Sequence, residues 1–223
     1  MQRTLESRLR EAVAAVDAVA LPDCAPAVSV ALAAGLAAVF FVQLALVPGA
    51  CAQSTYPAYC AAYVLADGNS ALGLALLPFL HGYPLHAAVN VLTLLFFGAH
   101  AECRFGRRRL VVLFLAGAYL GIFLQMLWNL GGTGSPLSLG ASGAIYALAV
   151  APGTADVLTH GRAIRERQTE YPLAVVGLLV LLSAVLAALG VFPDARATAT
   201  VAHLVGALVG VFYGAVWSVE RGG

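Results

Sequence analysis

The sequence predicts an all-α polytopic membrane protein with six spans, the fourth of them short. Composition is the first reason. Of 223 residues, 61% are hydrophobic and 10% charged, whereas a soluble domain carries about 25% charged residues. The second is a recurrence of uncharged apolar runs near the ~20 residues needed to cross a hydrocarbon core. The third is the placement of arginine, which gathers at alternate ends of those runs. All 12 basic residues are arginine. The net charge of +1 provides no field for nucleic acid, which is set aside as a partner. The lipid bilayer is the expected surrounding.

The chain divides into an N-terminal cytoplasmic or interfacial helix, residues 1–26, and a membrane domain, residues 27–223. In the first part Leu5, Leu9, Val13 and Val16 form an apolar stripe among charged residues, as in helices lying on a surface. No compact apolar run follows a basic start, so no cleavable signal is expected. Ala27–Val47 is span 1, ended by Pro48-Gly49. Ala50–Leu80 is a long connection whose last part, Ala71–Leu80, is apolar and reads as a re-entrant or interfacial segment. Pro78, Gly82 and Pro84 separate it from span 2, about Leu85 to His100. Leu110–Trp128 is span 3, and Asn129–Leu139 a Gly- and Ser-rich loop. Gly140–Ala151 is span 4, with a stop expected at Pro152. Pro172–Gly190 is span 5, Phe192–Arg196 a turn, and Ala197–Val219 span 6.

Six spans put both termini on one side. Arg3, Arg8, Arg10, Arg104, Arg107, Arg108, Arg109, Arg162, Arg165, Arg167 and Arg221 all fall there, and Arg196 alone falls opposite. The positive-inside rule makes the arginine-rich side cytoplasmic. Spans 2, 4 and 6 then descend from the outside, which sets His86, Asn90, Ser142 and His203 in the outer half of the membrane. Span 4, at 1.5 Å per residue, covers about half of a ~30 Å core. Ser142 is therefore expected near mid-depth under a water-filled hollow, since irregular backbone at that depth must be buried in protein or line a wet cavity. His100 and His160 are expected to be solvated at the cytoplasmic boundary. His81 is either a rim residue or part of the site.

Spacing then brings polar residues together. His86 and Asn90 stand i, i+4, as do Ser142 and Tyr146. Gly140-Ala141-Ser142-Gly143 surrounds a hydroxyl with small residues that admit close approach. His203, Gly206 and Gly210 form a stripe that lets another helix pack closely, and span 4 with Gly143 and Ala147 fits it. A serine becomes a useful nucleophile when a neighbouring base removes its proton, and histidine suffices in two-residue variants of the triad. Asn90, His86 and the Ser142 backbone N–H are suitable donors to an oxyanion.

Taken in order, His81, His86-x-x-x-Asn90, Glu102-x-Arg104-x-Gly106, Gly140-x-Ser142-Gly143 with Tyr146, and Ala202-His203-x-x-Gly206-x-x-x-Gly210 resemble the rhomboid intramembrane serine proteases. The resemblance covers about Leu80 to Trp217. It implies Ser142 as nucleophile and His203 as general base, with His86, Asn90 and the backbone at Ala141 and Ser142 as oxyanion hole. It further implies Tyr146 stacked on His203, a transmembrane protein substrate cut near the outer face, and span 5 as a lateral gate. Glu102 and Arg104 are expected to bond backbone groups at the cytoplasmic end and support the fold. The first outer loop departs from the family, which commonly carries a Trp-Arg pair there: neither residue occurs between Ala50 and Leu80.

Two other functions compete. One is a rhomboid-like protein that binds membrane helices without cutting them; the other is a small channel or permease. The Ser142 and His203 pair argues against the first. The lack of paired intramembrane charges and of an internal repeat argues against the second. The four cysteines form no Cys-x-x-Cys pair, so neither metal nor cofactor is expected. Cys51 and Cys60 share a loop, and both a disulfide and two free thiols fit the sequence. Oligomeric state is not legible.

Overall fold

The computed structural model describes residues 24–46, 49, 51–54, 57–66, 70–131, 138–166, 170–188 and 199–222. The stripe expected within residues 1–23, the turn at Phe192–Arg196 and most of the Gly- and Ser-rich loop lie outside them. The described residues form helices and connecting turns, with no strand among them. They comprise α1 Ala27–Ala45, α2 Pro57–Ala66, α3 Ala71–Leu76 running into a 3-10 turn Leu77–Phe79, and α4 Pro84–Phe105. After these come α5 Arg107–Leu130, α6 Ser142–His160 with a 3-10 turn Gly161–Glu166, α7 Glu170–Ala188 and α8 Thr200–Gly222. Among the described residues, α1, α4, α5 and residues Thr200–Glu220 of α8 are long and apolar enough to cross a membrane.

Apolar side chains cover both the inside and the outside of the helices, and the few polar ones in α1 turn inward. In α1 the buried residues are Ser29, Ala33, Leu36, Phe40 and Gln43, a single stripe that begins and ends with a polar side chain. Phe41 and Val42 on its other side are exposed. In an apolar solvent the polar groups are the ones that gain by turning inward. Ser29 meets Glu102, whose carboxylate accepts from the Val28 N–H at 3.1 Å and from the N–H and hydroxyl of Ser29, both at 2.8 Å. This satisfies first-turn donors of α1 that have no helical partner. At the other end, the Gln43 amide donates to the carbonyls of Ala58 and His81 and accepts from the His81 N–H at 3.1 Å. One helix is thus fixed at both ends by buried side-chain bonds.

The expected stop at Pro152 is corrected. α6 runs on to His160 with Pro152 inside it, 19 residues in all, so it is not short. An interior proline removes one helical bond and costs about 3 kcal/mol. That local cost is outweighed because Ala149, Val150, Ala151, Gly153, Ala155 and Asp156 on either side are all buried. The Thr154 hydroxyl donates to the Val150 carbonyl at 3.0 Å nearby, although the carbonyl that loses its helical donor is that of Leu148. The first half of α6 carries small residues at Ser142, Gly143, Ala144, Ala147 and Ala149, and three helices press on it. A Cβ at Gly206 of α8 would strike the Gly143 carbonyl, and one at Gly210 would lie 2.6 Å from the Ala147 oxygen. A Cβ at Gly117 of α5 would come within 2.8 Å of the Ala147 methyl, and one at Gly177 of α7 within 2.8 Å of the Ala149 oxygen.

The arginine-rich end is cross-linked. Arg104 reaches Asp156 of α6 through Nε at 2.8 Å and a terminal nitrogen at 2.7 Å. It therefore bonds a carboxylate where a backbone partner was expected. Arg109 pairs with Glu220 at 2.9 Å and lies over the Trp217 ring at 4.2 Å, joining α5 to α8. Cys24 and Cys103 form a disulfide there, and Cys51 and Cys60 form another beyond the opposite end of α1. His100 is buried, bonded through Nδ1 to the Phe96 carbonyl at 2.8 Å, contrary to the solvated position expected for it. The reason is that α4 continues past it to Phe105 and contains a π-helical turn, Leu94–Gly98, directly before it.

Candidate active site

Four of the elements meet around Ser142. The segment leading to it is buried: Ser138, Leu139 and Ala141 are all covered, and Leu139 packs on Leu77 and Leu80. The Gly140 N–H donates to the Leu77 carbonyl at 2.9 Å, so the 3-10 turn after α3 holds this segment down. Gly140 has φ +107°, a region that L side chains avoid, and a Cβ there would meet the His86 ring at 3.2 Å. Glycine is needed at 140 on both counts. Ser142 follows as the first residue of α6.

Ser142 is recessed because α6 begins late, not because it is short. Gly143 packs against Gly117, and α5 continues thirteen residues further, to Leu130. At 1.5 Å per residue that is about 20 Å of α5 beyond the level of the serine.

His203 is the fourth residue of α8, and its Nε2 lies 2.9 Å from Ser142 Oγ. Tyr146, one turn below the serine, stacks on the His203 ring with centroids 4.4 Å apart and planes within 4°. From α4, Asn90 is buried and donates from Nδ2 to the His86 carbonyl at 2.8 Å, which uses one of the two N–H bonds of its amide. The His86 ring packs edge-on against His81 at 4.9 Å and on Tyr83 at 5.3 Å. His81 is fully buried, with Nδ1 3.0 Å from the Phe79 carbonyl, so it is not a wetted rim residue.

A cavity of about 330 Å³ adjoins these groups. His86, Asn90, Thr93, Ser142, Tyr146 and His203 form its polar part; apolar residues from Val89 to Val180 line the rest. At ~30 Å³ per water the volume accepts several waters or an extended peptide side chain. It borders α7 through Val180. Such a pocket offers a hydroxyl on a base, donors beside it and an apolar annexe. That combination is the equipment for acyl transfer.

The residues singled out from sequence thus converge from α4, α6 and α8, while Glu102 and Arg104 lie at the arginine-rich end. Sequence reasoning missed Gln43, Gln125, Asp156, Gly117 and Gly121. The two glutamines carry a readable signal: Gln43 is the lone amide of α1, Gln125 shares α5 with one other amide, Asn129, and polar groups at membrane depth have partners.

These features define a helical, multi-pass membrane protein with a half-buried serine–histidine pair. The family model of the Rhomboid domain matches residues 69–220, more than half of the chain, and the chain belongs to that family. It is 35% identical over 139 residues to RHOMBOID-like protein 4 of Arabidopsis thaliana, covering 61% of this chain and 32% of that protein. It is 29% identical over 141 residues to RHOMBOID-like protein 1 of the same plant, covering 63% of this chain and 33% of the relative. The aligned part thus spans about a third of each of these curated relatives. No solved structure matches the chain.

Proposed function

We propose that the chain is an intramembrane serine endopeptidase, a six-span rhomboid bundle that cuts transmembrane helices near the outer face of the cell membrane. The observation that carries this reading is the 2.9 Å contact between Ser142 Oγ and His203 Nε2, braced by the parallel Tyr146 ring. His203 takes the hydroxyl proton as Oγ bonds to the scissile carbonyl carbon. The carbonyl oxygen becomes an oxyanion, for which the second Asn90 N–H, His86 and the backbone N–H groups at Ala141 and Ser142 are the donors in reach. One such donor contributes about 100- to 1000-fold in rate. His203 then gives the proton to the leaving amine, and water repeats the cycle on the acyl-serine. Tyr146 takes the orienting task that a carboxylate has in a triad, from another direction: it lies over the face of the ring and holds it by stacking rather than by charge.

The positive-inside rule makes the end that holds Arg104, Arg107, Arg108, Arg109 and Arg162 cytoplasmic, and both termini with it. Gly117, which packs on Gly143, lies ten residues past Arg107. That is about 15 Å, half of a ~30 Å core. Water must therefore reach the serine through the cavity, and a substrate helix must enter from the lipid between α4 and α7, which both line it. A helix with helix-breaking residues is the fitting substrate, since its backbone can unwind into the pocket.

The competing reading is a rhomboid-like protein that binds membrane helices without cleaving them; the intact Ser142–His203 contact argues against it. The two are separated by reconstituting the purified protein in liposomes with a single-span substrate carrying a fluorescent reporter. Cleavage that persists in chelator and disappears in Ser142→Ala supports the protease. Substrate capture with no product, from wild type and variant alike, supports the binder.

A further inference from the structure

The helix that carries His203 starts at Thr200, and its cap position holds a residue with no side-chain acceptor. The His203 N–H bonds to the Ala199 carbonyl at 3.0 Å, which makes Ala199 the cap residue, and its side chain is a methyl group. The N–H groups of the first turn have no partner within a helix and must be satisfied from outside. Here the partner comes from another helix. Gln125 of α5 accepts from the Val201 N–H at 2.9 Å and the Ala202 N–H at 3.2 Å through the same oxygen. Its amide nitrogen donates to Asn129 Oδ1 at 2.8 Å, one turn further along α5, so both ends of the carboxamide are held. Gln125 is buried at 6% exposure.

One turn before it, a Cβ at Gly121 would come within 2.9 Å of the Ala202 carbonyl. A Cβ at Gly143 would lie 3.2 Å from the same oxygen. The peptide next to His203 is therefore wedged between α5 and α6, and Gln125 fixes its remaining polar direction. We infer that Gln125 is a positioning residue for the reaction: it caps α8 in trans and so sets where His203 Nε2 meets Ser142 Oγ. This rests on the protease reading above, because positioning matters to turnover only if His203 acts as the base. A shift of about 1 Å at such a contact costs roughly 100-fold in rate.

The test uses the full chain in nanodiscs, with Gln125→Met, which keeps shape and loses all three bonds, and Gln125→Glu, which keeps the acceptor. Amide exchange at Val201 and Ala202 is expected to be slow in wild type, unlike ordinary first-turn amides. It should quicken at least ~10-fold in Gln125→Met and by no more than about threefold in Gln125→Glu. For cleavage of a single-span substrate, Gln125→Met should lower kcat roughly 10- to 100-fold with KM within about twofold, and Gln125→Glu should recover most of the loss. Wild-type amides at 201 and 202 that exchange at free-peptide rates would overturn the cap even if Gln125→Met does not fold. Equal impairment of the two variants, or a Gln125→Met protein with unchanged kcat, would overturn the positioning role. If wild type cleaves nothing, the protease reading falls by itself, and the exchange measurement still decides whether Gln125 caps α8.

Discussion

The two ends of the helical bundle are built for different purposes. At the arginine-rich end, Glu102 takes three bonds from Val28 and Ser29, Arg104 grips Asp156, Arg109 joins Glu220 and Trp217, and Cys24 is bound to Cys103. At the other end, a hydroxyl and an imidazole touch beside a cavity, held by a stacked ring and by the start of α8, which borrows its cap from Gln125. One end spends its polar groups on each other; the other keeps a serine and a histidine together beside space that a substrate can fill. The difference teaches that the fold and the proposed chemistry draw on separate side chains here, with the exception that α4, α6 and α8 each run through both ends.

The sharpest division should come from the reactive end. Ser142→Ala and His203→Ala are each expected to lower cleavage at least ~1000-fold, while circular dichroism and the thermal midpoint in detergent stay near wild type. Loss of helicity in either variant would mean the two ends are not separable.

Gly206→Val tests the exception. Its side chain would be forced into the Gly143 backbone, and overpacking of this kind costs about 1–3 kcal/mol or more. Both stability and turnover should fall, because the same helix carries His203. A stable variant with full activity would show that α6 and α8 do not need this approach.

At the cross-linked end, Glu102→Ala should remove the cap of α1 and lower stability by about 1–3 kcal/mol, read as a shift of the unfolding midpoint in mixed micelles. The kcat of the folded fraction should stay within about twofold. A selective loss of kcat would join the ends after all.

The smallest effect is expected for Tyr146→Phe, which keeps the ring that stacks on His203. Activity should remain within about threefold, because aromatic contact contributes only about 0.5–1.5 kcal/mol beyond burial and the benzene face is retained. Tyr146→Ala, which removes the ring, should lose more. Equal losses in both would assign the role to the hydroxyl.

Much of the site could be read from the chain because its residues recur at helical spacing: His86 with Asn90, Ser142 with Tyr146, His203 with Gly206 and Gly210. What could not be read depends on partners distant in sequence. The acceptor of the Ser29 N–H is 73 residues away, the Ala202 N–H finds Gln125 at 77, and Cys24 pairs with Cys103 at a separation of 79. Pro152 misled for the same reason. Its missing donor is visible locally, whereas the burial that carries the helix past it comes from α7 and α8. A short fourth helix is what the sequence offers to recess Ser142, whereas in the structure the late start of α6 against α5 does so.

The most direct test of the central claim is labelling with a serine-directed fluorophosphonate, followed by mass spectrometry of the modified peptide. A hydroxyl activated by His203 should carry the label at Ser142 in wild type and lose it in His203→Ala. Absence of label at Ser142, or label there that persists without His203, would contradict the account.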